Sequence, residues 1–146
     1  MRFLCVVLVP RTFLLGGINM LGNNMSLSLS KLGDGAILPS LSSFLNEGEE
    51  ILGNFAAKGA LVTFTDRKIL IEFANGGDSM SHYIQIIPYH SISLCTLKTN
   101  NNFAYETTME LSVSDMGCMV LDFLGSFDIA LICNHIACCC KYSQKV

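Results

Sequence analysis

Charge is what this sequence has least of. Only 14% of its residues are Asp, Glu, Lys or Arg, against 51% hydrophobic, a balance unusual for a freely soluble monomer. Nine basic residues face twelve acidic ones, for a formal charge of −3, which argues against nucleic acid or an anionic membrane as the main partner. No nucleophile elbow, phosphate-binding loop, HExxH or paired-acid motif is present, so no catalytic residue and no cofactor is assigned. A membrane-spanning helix needs about 20 apolar residues. The N-terminal run Phe3–Val9 offers seven before Pro10-Arg11 interrupts it.

What the chain does have is alternation. Val62 and Phe64 alternate with Leu61, Thr63 and Thr65, and Ile69, Ile71 and Phe73 alternate with Lys68, Leu70 and Glu72. Period-two patterning rich in β-branched and aromatic residues is the signature of strands. Asp66-Arg67 breaks the pattern where a reversal would fall, and Asn75–Asp78 marks the next turn. Seven strands are predicted: 50–57, 60–65, 68–74, 81–87, 91–98, 105–113 and 118–124. The sixth shows the cleanest alternation, with Tyr105, Thr107, Met109, Leu111 and Val113 on one face. After Gly125 the period changes: Ile129, Ile132, Cys133, Ile136, Ala137 and Cys140 recur at three and four, as on the apolar stripe of a helix. Ser126 is placed to cap it and Asp128 to complement its positive end.

Two stretches carry a family resemblance. Phe64-Thr65-Asp66-Arg67-Lys68-Ile69-Leu70, followed by Ile87-Pro88-Tyr89-His90-Ser91-Ile92, resembles the bacterial pleckstrin-homology-like domain family. Leu45–Ile51 is similar to that family's acidic lead-in to its first strand. The resemblance runs from about Ser40 to Tyr142. It implies a mainly β fold: a bent barrel or sandwich of seven antiparallel strands capped by a C-terminal α-helix, the order the periodicity also yields. Both motifs are structural and not catalytic; their residues are Phe64, Thr65, Asp66, Arg67, Lys68, Pro88, Tyr89, Ser91 and Ile92. The sequence departs from the family at Gly77–Met80, where a more basic turn is usual, and at Asn100–Asn102, where a glycine turn is usual.

The 146 residues suggest one domain, placed at residues 40–143, with 1–39 as an N-terminal extension or linker. Three readings of Met1–Leu21 stand: an extension upstream of a true start at Met20 or Met25, a membrane anchor or signal, or a helix packed on the domain. Gly22–Ser30, rich in Asn and Ser, reads as linker. Ser40–Leu45, after Pro39, reads as a short amphipathic helix presenting Leu41, Phe44 and Leu45.

Candidate sites are sparse. Lys58 stands alone in the first turn, and Arg67-Lys68 is an adjacent basic pair that solvation would explain, so phosphoinositide recognition is not expected. His135, Cys138 and Cys139 have metal-compatible spacings, but Cys138, Cys139 and Cys140 point about 100° apart around a helix. Seven cysteines, four of them within Cys133–Cys140, suggest reduced thiols in a cytoplasm, not a disulfide framework. Tyr89-His90-Ser91 sets a hydroxyl beside an imidazole, but strand neighbours face opposite ways. Glu49-Glu50 reads as a solvated edge. The expectation is therefore a non-catalytic interaction or scaffold domain that binds protein partners and assembles with copies of itself. Apolar residues out of phase, namely Leu61, Leu70, Leu97, Leu131 and Cys138, would supply the contact patch. A membrane-surface module is the alternative.

Overall fold

The computed structural model describes residues 19–21, 24–33, 39–73, 83–99, 106–125 and 128–139. Among them run the strands β1 (Asn19–Leu21), β2 (Asn24–Lys31), β3 (Ile51–Ala57), β4 (Ala60–Thr65), β5 (Lys68–Phe73), β6 (Tyr83–Pro88), β7 (Ile92–Thr99), β8 (Glu106–Val113) and β9 (Gly117–Leu124). A short helix α1 (Pro39–Ser42) precedes β3, and α2 (Ile129–Cys139) follows β9. The turn expected at Asn75–Asp78, the segments 1–18 and 100–105, Ser126, and Cys140 onward lie outside the described residues.

Local chemistry accounts for the two meanders. β3 to β6 pair consecutively and antiparallel, as do β7 to β9. Lys58-Gly59 closes the β3–β4 hairpin with Ala57 opposite Ala60, and Gly59 takes the φ of 84° that such a turn imposes. On the inner faces Phe55, Val62, Phe64, Ile69, Ile71, Met109, Leu111, Met119, Leu121 and Phe123 are at most 1% exposed. The rings of Phe55, Phe64 and Phe123 meet with centroids 5.2–5.8 Å apart, so the two meanders share one core. α2 plugs it with Ile132 and Ile136. The Leu131 N–H donates to Asp128 Oδ1 at 3.2 Å, so Asp128 is itself the N-cap.

The main correction concerns residues 24–30 of the stretch read as linker. Asn24–Lys31 is not linker but a strand of the sheet, upstream of the domain start set at residue 40. It pairs parallel with β9 from Asn24↔Cys118 to Ser30↔Leu124, and antiparallel with β3 at Ser30↔Ala56 and Lys31↔Phe55. The sheet order is therefore β6-β5-β4-β3-β2-β9-β8-β7, with β1 pairing β2. Two more strands than predicted, β1 and β2, take part, and one pairing is parallel where all were expected antiparallel. Met25, Leu27 and Leu29 enter the core while Ser28 and Ser30 stay exposed.

A second difference is one of phase. Ile92 lies opposite Val113, but the next pair is Leu94 with Ser112, so Ser93 is an extra residue in β7. A bulge of this kind shifts every later side chain to the other face. Leu94, expected beside Ile92, is 60% exposed, while Cys95 faces inward opposite buried Leu111. Leu131 is exposed, as the pattern implied; Leu97, moved by the bulge to the face of Cys95 and opposite buried Met109, is still 41% exposed. Leu70 is fully buried and Leu61 half-buried, because β4 and β5 are covered on both faces. Of the three apolar residues expected to dock from the short helix, Leu41 is buried and Phe44 is exposed.

If β2 is integral, Leu27→Ala should lower the unfolding free energy by about 2–5 kcal/mol, the range for a buried leucine. Ser28→Ala, on the exposed side of the same strand, should stay within about 0.5 kcal/mol. Urea denaturation followed by circular dichroism measures both; equal, small effects would make β2 dispensable.

Candidate functional site

The family-motif residues converge on one end of the β4–β5 hairpin, where polar groups are tied into backbone. Thr65, the last residue of β4, is fully buried. Its hydroxyl donates to Glu49 Oε2 and accepts from the N–H groups of Arg67 and Lys68, each at 3.0 Å. Thr65 therefore caps the tight turn that Asp66-Arg67 makes. Asp66 holds the preceding segment in register: its N–H donates to the Glu50 carbonyl at 2.9 Å, and its Oδ1 accepts from the Glu50 N–H at 3.2 Å.

Glu49 is the centre of this network. Its side chain has no exposed surface, and Oε1 lies 3.1 Å from Lys68 Nζ. The same oxygen accepts from the Asn46 N–H at 2.9 Å, and Lys68 Nζ donates on to the Phe44 carbonyl. Burial works against the charged carboxylate, but the Asn46 N–H, the Thr65 hydroxyl and the Lys68 ammonium outweigh it and hold Glu49 below the ordinary value. The expected solvated edge is thus a buried anion, and the Lys68 ammonium is its partner. Local sequence misses this because the two residues come from separate segments.

The second motif docks on the first. Tyr89, buried completely, donates its hydroxyl to the Thr65 carbonyl, and its N–H donates to the Arg67 carbonyl at 3.1 Å. Burial pushes its phenol far above the ordinary value. Tyr89–Ser91 is a 3-10 turn and not part of a strand, with the Ser91 hydroxyl closing on the Pro88 carbonyl at 2.6 Å. Tyr89 and Ser91 are thereby engaged with backbone while His90 stands exposed. Pro88 ends β6 opposite Lys68, and Phe64 and Ile92 belong to the core.

The other candidates do not come together. Lys58 and Arg67 are both exposed but stand at opposite ends of the six-residue β4, about 20 Å apart at the rise of a strand, so they form no phosphate clamp. On α2, Cys138 is exposed and Cys139 is half-buried against the core. Among the described residues no group of three or more His, Cys, Asp or Glu side chains is placed to hold a metal ion. No described helix is long and apolar enough to cross a membrane. The spacing did not foretell that Cys95 of β7 and Cys133 of α2 both pack on the core as half-buried thiols.

The buried ion pair has measurable consequences. Lys68→Met should cost about 3–5 kcal/mol by leaving the Glu49 charge unpaired. The double variant Glu49→Gln/Lys68→Met should cost less than Lys68→Met alone, and strict additivity in urea denaturation would deny the coupling. Because Glu49 titrates below its ordinary 4.5 when folded, its contribution is complete above that value and disappears as pH falls through the lowered one. The stability difference between wild type and Glu49→Gln should therefore be constant near neutrality and shrink below about pH 4.5. A difference that grows on acidification would contradict the assignment.

Comparison with known proteins extends this geometry. The chain is 28% identical over 95 residues, 65% of its own length and 72% of the other's, to an uncharacterized protein, YjqA, of Bacillus subtilis strain 168. Its fold superposes with a TM-score of 0.56 on a crystal structure of a DUF1696-family protein with a pleckstrin-homology domain from Shewanella loihica PV-4. That match covers 75% of this chain and 95% of the other at 15% identity. A pleckstrin-homology domain from Shewanella amazonensis SB2B aligns at a TM-score of 0.47 and 20% identity, over 76% of this chain and 93% of the other. The model of the bacterial PH domain family matches residues 20–140, a span that takes in β2, both motifs and α2. With that match over most of its length, the chain belongs to the bacterial PH domain family.

Proposed function

We propose that this domain is a non-catalytic scaffold that assembles with copies of itself and presents the assembled surface to protein partners. The observation that carries the reading is the state of the sheet's two ends. Among the described residues β6 and β7 end the main strand order, each paired on one side, while the three-residue β1 pairs only with β2. An edge strand left open is a template for another strand. Both ends also expose apolar side chains: Tyr83 and Ile86 on β6, Leu94 and Leu97 on β7.

The two ends are different surfaces, so joining β6 of one copy to β7 of the next makes a head-to-tail contact. Such contacts generate a ring when the rotation closes and a filament when it does not. Family resemblance favours the ring, since bacterial members of this family are similar to proteins that form closed homo-oligomers. A low charge density supports the same reading, because few charges stand in the way of apolar contact. Convergent cations, which a lipid-headgroup module would use, are absent among the described residues. Starting at Met25 would remove Arg2 and Arg11 and take the formal charge from −3 to −5, further disfavouring an anionic surface.

Size-exclusion chromatography with light scattering tests this directly. The expected result is a discrete multiple of the 15.9 kDa chain that persists on dilution. Ile86→Lys or Leu94→Lys should reduce it to the monomer mass with an unchanged far-ultraviolet circular dichroism spectrum. A clean monomer of the wild type at high micromolar concentration ends the idea.

A further inference from the structure

Each terminal strand leaves an apolar side chain uncovered on both of its faces. On β6, Tyr83 lies opposite Phe73 and so on the core side, while Ile86, opposite Leu70, is on the outer side; both are exposed. On β7, Leu97 lies opposite buried Met109 on the core side and Leu94 on the outer side, and both are again exposed. Large side chains left open on the core side mean that the core itself is unfinished at these two edges. Gln85, opposite Ile71 on the core side of β6, has a buried amide oxygen with no hydrogen-bond partner, where a buried polar atom normally has one.

Proline, bulges and charged side chains are the usual guards of an edge strand. Here they sit in one place. Pro88 ends β6 and the bulge at Ser93 opens β7, one on each side of the Tyr89–Ser91 turn. The stretches beyond them, Tyr83–Ile87 and Leu94–Thr99, carry one charged side chain between them, Lys98, which is already paired with Glu110 of its own chain. No charge therefore sets the two edges against each other.

Given the head-to-tail assembly proposed above, on which this rests, we infer that the joint is a parallel strand pairing: β6 of a second copy lies along β7, with the two core faces on the same side. Direction follows from topology. Between β6 and β7 the strand order crosses six antiparallel pairings and one parallel pairing, β2 with β9. Six reversals cancel, so β6 and β7 run the same way along the sheet. A second copy set beside β7 with its core on the same side presents β6 parallel to it. Turning that copy over would make the pairing antiparallel but would put Tyr83 on the outer side of β7, since faces alternate by residue. Within the parallel joint, faces match only when β6 and β7 numbers differ by an even amount. A difference of ten sets Ile84 beside Leu94 on the outer side, and Gln85 and Ile87 beside Cys95 and Leu97 on the core side.

The test uses the full chain carrying the photo-cross-linker p-benzoylphenylalanine at Tyr83 or at Ile86, each shown by light scattering to keep the wild-type assembled mass. Irradiation should give a band at twice the 15.9 kDa chain mass under denaturing conditions. Peptide fragmentation should place the attachment on β7, within Ile92–Leu94 for the Tyr83 probe and within Cys95–Leu97 for the Ile86 probe. The order therefore ascends along both strands. A probe at Thr96, from the β7 side, should attach within Gln85–Ile87 and serves if a β6 position is not tolerated. Descending order, or attachment to β6 or to another element of the second copy, would overturn the parallel joint while leaving assembly in place. A wild-type chain of monomer mass removes assembly itself, and the joint with it.

Discussion

The structure depends on β2 having a partner on each side. Two antiparallel meanders, β3–β6 and β7–β9, would otherwise be separate sheets with open inner edges. β2 lies between them, parallel to β9 along seven register pairs and antiparallel to β3 through two. Its inward side chains Met25, Leu27 and Leu29 reach the same cluster as Phe55 and Phe123, so backbone pairing and apolar burial coincide. A buried strand cannot leave its N–H and C=O groups unpaired without penalty. Its pairings therefore set how the two meanders curl over their shared core and where α2 can close it.

The polar motif serves a related purpose at the far end of the meander. Glu49, Thr65, Asp66, Lys68 and Tyr89 join the segment before β3, the β4–β5 turn and the turn after β6. Burying a carboxylate is unfavourable unless every lone pair has a partner, and here an N–H, a hydroxyl and an ammonium supply them. Residues so fully engaged with one another and with backbone have little left to offer a ligand. The motif fixes the geometry of the fold.

Much of this was legible. Residues 106–113 alternate without interruption and form a strand as read; the period change after Gly125 and the stripe Ile129, Ile132, Cys133, Ile136 marked α2 correctly. β2 was missed for a physical reason. Its sequence Asn-Met-Ser-Leu-Ser-Leu-Ser-Lys alternates well, but Ser and Asn are weak strand formers and favour turns, and Leu is neither β-branched nor aromatic. The phase error at Leu94 comes from one extra residue, Ser93, which no periodicity rule anticipates. Glu49 and Lys68 stand 19 positions apart, and nothing local tells a solvated carboxylate from one that tertiary structure will enclose. The inward position of Cys95 depends on that same bulge.

The parallel pairing of β2 with β9 also bears on time. Leu27 meets Leu121 across more than ninety intervening residues, one of the longest-range contacts the chain makes, and loop closure must precede any reward from it. During synthesis β2 leaves the ribosome before β3–β8 do, and β9 emerges only after them. Until β9 arrives, one side of β2 is an open hydrogen-bonding edge beside three apolar side chains. The meander β3–β6 can form in the meantime, but final closure waits for β9, so the slowest search in folding and the period of greatest exposure to wrong partners fall together.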